Sequence, residues 1–282
     1  MAKDAKSAFC EDSRVKFPTL MHLMGMGFKY VSLKGLKTKY VEAPKTEFDP
    51  LTNILTDYFT DAYCTLNPKA EKKDAEDMLV KIQKSLQNDD LGRQFYNEIL
   101  LNTGERIIDL SSPANFYRNN TFQVTTEMTC GSKDSDNYRP DITIFVNGLP
   151  LAFIEVKKEN NHKGIQAETD RMKQRFVNPQ YRRFLNITQI MVFSNDMEYD
   201  NNEVTPTIGA FYATIGKKNT KYNCFREEGQ DSFPTARHIH QVTPEEEEVL
   251  LRDNNVPQYK NSSEYKTNCL ANTPTKRICD SL

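Results

Sequence analysis

Two carboxylates and an ammonium stand where a short hairpin would bring them together. Asp141 opens the β-rich run 141–146 (DITIFV), Asn147-Gly148 follows, and the second run, 151–157 (LAFIEVK), carries Glu155 and Lys157 at its end. Asn-Gly between two such runs is a strong hairpin signal. Side chains two apart on a strand share a face, so Glu155 and Lys157 lie together while Ile154 and Val156 point into a core. Carboxylate oxygens of this kind suit Mg²⁺, which takes one or two of them and fills its shell with phosphate oxygens and water. A lysine beside them can orient an attacking water, help remove its proton and offset charge growing on a phosphate. An isolated Glu-x-Lys on a strand is usually a surface ion pair. The hairpin, the preceding Arg139-Pro140 and the segment that follows favour a site.

That following segment is basic. Between Lys157 and Arg183 lie eight basic residues, Lys157, Lys158, Lys163, Arg171, Lys173, Arg175, Arg182 and Arg183, against the acids Glu159, Glu168 and Asp170. A local excess of positive charge in a chain of net charge −2 points to a focused polyanion site rather than wholesale electrostatic binding.

The elements that must position these groups divide in two. Leu20, Leu23, Met24 and Phe28 have helical spacing after Pro18, and residues 38–50, with Pro44 and Pro50, read as loop. From Thr52 to Leu101 the pattern is helical, with Met78, Leu79, Ile82 and Leu86 on one stripe, followed by Phe95, Ile99 and Leu100. After Gly104 the period changes from about 3.6 to 2: Phe122, Val124 and Thr126 alternate with polar residues ahead of the hairpin. A helix over 164–184, a buried strand over 187–194 and strands at 208–215 and 222–226 complete a mixed α/β domain. Thr243-Pro244 followed by four glutamates is a helix start, with acids at the positive end of the dipole. Residues 255–282 are polar, with no core-forming stretch.

The 282 residues, 38% hydrophobic and 27% charged, have the profile of a soluble intracellular, cytoplasmic protein, with neither a membrane span nor a signal sequence in view. Six scattered cysteines show no Cys-x-x-Cys pair and read as free thiols, and His238 and His240 lack a third ligand for zinc.

Pro140-Asp141, Glu155-Val156-Lys157 and the string RPDITIFVNGLPLAFIEVKK (139–158) together resemble the nuclease segment of type I restriction enzyme R subunits, a PD-(D/E)xK family. The likeness takes in the helical lead-in, the Asn115/Phe122 region and the segment Asn272-Thr273-Pro274. It implies a restriction-endonuclease-like core, a mixed central sheet flanked by helices with an N-terminal helical portion. The divisions expected are 1–110 for the helical portion, 111–242 for the nuclease core and 243–282 for a linker or the start of a motor region. The activity implied is Mg²⁺-dependent hydrolysis of phosphodiesters in unmodified double-stranded DNA, within a complex containing specificity and methyltransferase subunits. The alternatives are a DNA-binding and assembly module inactive alone, or a stand-alone repair or modification-dependent nuclease.

By the same resemblance Asp141, Glu155 and the Val156 carbonyl hold Mg²⁺, for which Mn²⁺ can substitute, and Lys157 acts on the attacking water. From the basic stretch, Lys158, Lys163, Arg171, Lys173 and Arg175 are expected to contact DNA phosphates without reading bases. The family's Gln-xxx-Tyr motif is altered here: Gln166 is followed at the fourth position by Asp170, and Gln166 and Arg171 are its nearest substitutes. Glu11 stands where the family often has an acid in its first helix. No GxxxxGK[ST] phosphate loop occurs, so ATP binding is not expected of this chain, and the tail reads as the junction to a motor.

Overall fold

The structure, a computed structural model, describes residues 11–36, 41–42, 48–102, 104–130, 138–158, 161, 164–195, 210–214, 223–224 and 240–256. A π-helical turn, Asp12–Lys16, runs into α1 (Phe17–Gly25), followed by β1 (Lys29–Val31) and β2 (Val41–Glu42). Next come α2 (Thr56–Leu66), α3 (Lys72–Ser85), a π-helical segment Phe95–Leu100 and α4 (Pro113–Asn119). The central strands are β3 (Phe122–Thr126), β4 (Ile142–Val146) and β5 (Leu149–Val156). Then α5 (Gly164–Val177), α6 (Arg182–Ile187), β6 (Ile190–Ser194), β7 (Ala210–Thr214), β8 (Asn223–Cys224) and α7 (Pro244–Asp253) complete the order. Among the described residues the strands form one sheet, ordered β2-β1-β3-β4-β5-β6-β7-β8. The pairs β1/β2, β1/β3 and β5/β6 are parallel and the rest antiparallel. This is the mixed sheet flanked by helices that the sequence led us to expect.

The β4–β5 hairpin turns where the Asn-Gly pair stands. Asn147 and Gly148 both have positive φ, 53° and 75°, as the tight hairpin turn demands. Asn147 is buried and ties the turn to its surroundings: Oδ1 accepts from the Thr121 N–H, and Nδ2 donates to the carbonyl of Ile107 and to Asn120 Oδ1. Gly148 is required twice over, since a Cβ there would meet the Leu55 carbonyl oxygen at 2.6 Å.

Alternation along the hairpin sorts its side chains onto two faces. Ile142, Ile144, Ile154 and Val156 join Phe17, Leu20 and Leu23 of α1 and Leu250 and Leu251 of α7 in one core. On the other face Phe153 and Phe193 pack with Met172 of α5 and Phe184 and Leu185 of α6. The stripe expected on α3, together with Phe95, Ile99 and Leu100, forms a separate core with α2.

Several expectations are revised by packing. The 1–110 portion is not purely helical, because β1 and β2 join the sheet edge within it. The helical reading of 52–101 is interrupted between α2 and α3 and again before Phe95. The helix start at Pro244 is present, with Thr243 and Glu246 forming a capping box. Its destination differs from a linker, however. Val249, Leu250, Leu251 and Val256 are buried, and the Asp253 carboxylate accepts hydrogen bonds from the Tyr30 hydroxyl at 2.6 Å and the Ser32 hydroxyl at 2.9 Å. Lys34 Nζ donates to the Asp253 carbonyl and to Asn255 Oδ1, closing the helix end onto the loop after β1. Residues 257–282, with the rest of the expected tail, lie outside the described residues.

Candidate active site

The site is built at the open end of the β4–β5 hairpin. Register pairs Ile142 with Ile154, so Asp141, one residue before β4, comes opposite the end of β5. Its Oδ2 accepts a hydrogen bond from the Val156 N–H at 2.8 Å, which locks the carboxylate to the neighbouring strand. Glu155 and Lys157 project beside it, as the period of 2 requires. Lys157 Nζ donates to the Val156 carbonyl at 2.8 Å and lies 3.9 Å from Glu155 Oε2.

Two further acids close around this ammonium. Glu11, ahead of the π-helical turn, places Oε1 3.6 Å from Lys157 Nζ, and Glu168 of α5 places Oε2 at 3.6 Å. The family resemblance pointed to Glu11; the packing of the first helix beside the sheet brings it here. Glu168 entered the sequence reading only as one of three acids diluting a basic segment. Its signal lay in its spacing from Arg171 and Arg175, three and seven residues on, which puts all three on one side of a helix. Both arginines reach it, at 2.9 and 2.8 Å. Tyr138 and Lys16 were also missed. The Arg175 guanidinium lies over the Tyr138 ring, 3.8 Å from its centroid. Lys16, buried, pairs with Asp12 and Glu127, each at 2.8 Å.

Burial raises the Glu155 pKa well above the usual carboxylate range, and repulsion from Asp141 and Glu168 raises it further. Burial likewise raises Asp141, against the pull of the Lys157 charge. Burial works against the Lys157 ammonium, but the charges of Asp141, Glu155, Glu11 and Glu168 outweigh it and hold its pKa above the ordinary lysine value. Glu155 Oε1 is buried without a hydrogen-bond partner among the described residues. The Tyr138 hydroxyl is near enough to favour the Glu155 carboxylate, yet makes no hydrogen bond of regular geometry with it. An orphaned, buried carboxylate oxygen next to a second carboxylate is costly in a protein unless something else satisfies it.

The chemistry of the donors fits a hard divalent cation. Among the described residues no three His, Cys, Asp or Glu side chains close into a metal cage. A cation held by Asp141 and Glu155 would therefore complete its shell with water and phosphate oxygens, as Mg²⁺ does. The Val156 carbonyl, expected as a third ligand, is engaged by Lys157 Nζ.

The expected phosphate contacts separate into groups. Lys158 is exposed and Lys173 is exposed beside Asp170, at 2.9 Å. Arg171 is 61% exposed despite its bond to Glu168, whereas Arg175 is 21% exposed and held between Glu168 and Tyr138. Lys163 and the Gln166 side chain lie outside the described residues. His240 Nε2 bonds to Glu246, and Cys130 is a buried free thiol.

Fold and site together define an α/β protein with an acid-and-lysine cluster at the end of a central hairpin. A family model, type I restriction enzyme R protein N terminus, matches residues 9–204, and the chain belongs to that family of restriction-enzyme subunits. None of the curated proteins compared with the chain matches it. No helix among the described residues is long and apolar enough to cross a membrane.

Proposed function

We propose that this chain is the Mg²⁺-dependent PD-(D/E)xK endonuclease part of a type I R subunit. It hydrolyses phosphodiester bonds of unmodified double-stranded DNA, in the cytoplasm, together with specificity and methyltransferase subunits. The observation that carries the reading is the buried, unpartnered Glu155 Oε1 beside Asp141, with Lys157 Nζ caged by four acids' charges. Asp141 and Glu155 would hold the cation, Mg²⁺ or Mn²⁺. When bound, it supplies Lewis acidity that polarises a phosphoryl oxygen and eases deprotonation of water.

The chain's own residues do the rest. Asp141, held by the Val156 N–H, and Glu155, carried on β5, bring the two carboxylates to the same end of the hairpin. Lys157 remains charged, so it orients the attacking water through its N–H bonds and offsets negative charge on the phosphate. Lys158, Arg171 and Lys173 offer exposed cations for the DNA backbone beside this point. ATP use belongs to the motor of such subunits and is not assigned to this chain.

Titration calorimetry tests the metal assignment. Mg²⁺ should bind the wild-type chain and lose at least tenfold in affinity in Asp141→Asn, while equal affinity in both proteins would remove the cation from this site.

A further inference from the structure

Glu168 is the acid near the Asp141–Glu155 pair that neither the hairpin nor the family motif places there. It sits in the early part of α5, is 2% exposed, and divides its oxygens between two guanidiniums. Oε1 accepts from Arg175 at 2.8 Å and Oε2 from Arg171 at 2.9 Å. Arg175 in turn rests on the ring of Tyr138, whose centroid is 6.0 Å from that of Phe153, and Phe153 lies on β5 two residues before Glu155. The clamp is thus anchored to the strand that carries the site.

A buried ion pair is a poor device for stability alone, because well-packed apolar side chains usually do as well. The placement of this one is what matters. Glu168 Oε2, already held by Arg171, is also 3.6 Å from Lys157 Nζ. Lysine is a point charge on a flexible four-carbon stem, with no fork of its own to fix its direction. Here the ammonium meets the Val156 carbonyl at 2.8 Å, Glu11 at 3.6 Å, Glu168 at 3.6 Å and Glu155 at 3.9 Å. Over the described residues, Glu168 is the one of these acids gripped on both oxygens by side chains of its own helix.

We propose that Glu168 is a positioning residue for Lys157. The Arg171–Arg175 clamp makes its carboxylate rigid, and the carboxylate fixes the ammonium beside the Asp141–Glu155 pair. The inference rests on the nuclease reading of the site, in which Lys157 acts at the scissile phosphate. It gives Arg175 an internal task in place of the phosphate contact expected from its charge.

The test uses Glu168→Gln, which keeps the shape and removes the charge. In the reassembled restriction complex, kcat for DNA cleavage should fall about tenfold to a hundredfold, the loss expected when a catalytic group is misplaced by about an ångström. KM for DNA and the rate of ATP hydrolysis should not change. Separately, reductive ¹³C-methylation of the metal-free chain gives a Lys157 NMR signal, identified by its disappearance in Lys157→Arg. That signal should move in Glu168→Gln and stay in place in Asp170→Asn. An unchanged kcat, a raised KM at constant kcat, or an unmoved Lys157 signal overturns the proposal. If the wild-type complex does not cut DNA, the nuclease reading falls by itself, and the Lys157 signal alone decides the positioning role. Arg175→Lys, which keeps a cation but loses the fork, should lower kcat in the same direction and serves if Glu168→Gln does not fold.

Discussion

Replacing Glu155 by Gln should stabilise the metal-free protein, although the residue lies at the centre of the site. Its carboxyl group is buried, the charges of Asp141 and Glu168 oppose its ionisation, and Oε1 has no hydrogen-bond partner among the described residues. An unsatisfied buried polar group costs about 1–3 kcal/mol, more when charged. The attraction lost with Lys157, 3.9 Å away, is small because three other oxygens remain around that ammonium. A net gain of about 1–2 kcal/mol follows, or roughly 2–8 °C in Tm for a chain of this size. The sign against pH is set by the raised folded-state pKa. Below about pH 4, near the ordinary glutamate value, folded and unfolded chains both carry the proton and the Gln variant has no advantage. As pH rises the unfolded chain ionises first, and the wild-type penalty grows until the folded Glu155 also ionises. Thermal melts in EDTA at pH 8 and pH 4 measure this directly. Excess Mg²⁺ should then reverse the order, because only the wild type gains binding energy, about 2.7 kcal/mol at a hundred times Kd. A Glu155→Gln protein that melts below wild type in EDTA at pH 8 would show instead that Glu155 holds the fold rather than strains it.

Two further outcomes follow from the geometry. Lys158→Ala combined with Lys173→Ala should lower the salt dependence of DNA binding by up to about two units, equally on every sequence, because both cations are exposed, one next to Lys157 and one on α5; gel shifts at several salt concentrations that show an unchanged slope would move the DNA elsewhere. Asp253→Ala removes the acceptor for Tyr30 and Ser32 and should cost about 2–4 kcal/mol in urea unfolding; a loss below about 0.5 kcal/mol would mean that α7 adds little to the domain.

What could be read from the sequence, and what could not, divides by range. The hairpin was legible because Asn147-Gly148 is a local signal between two β-rich runs, so the partnership of Asp141, Glu155 and Lys157 followed without tertiary information. The stripe on α3 was legible for the same reason. β1 and β2, three and two residues long, carry too little periodicity to stand out and exist through pairing with β3 and with each other. Pro244 and the four glutamates after it announced a helix at α7, yet nothing local could say that its apolar side meets α1, or that Asp253 reaches a strand more than 200 residues earlier. Glu168 looked like one charge in a basic segment. Its role appeared once α5 was laid against the face of β5 that carries Glu155. Arg175 changed meaning by the same packing, from an available cation to one committed between Glu168 and Tyr138.

The proposed role of Asp141, Glu155 and Lys157 is DNA cleavage. Its most direct test is double-strand cleavage of unmodified DNA by restriction complexes reassembled with Asp141→Ala, Glu155→Ala or Lys157→Ala, with ATP hydrolysis measured in the same reactions. Cleavage should fall below detection in all three while ATP hydrolysis continues at the wild-type rate. Cleavage near the wild-type rate by the Glu155→Ala complex would contradict it.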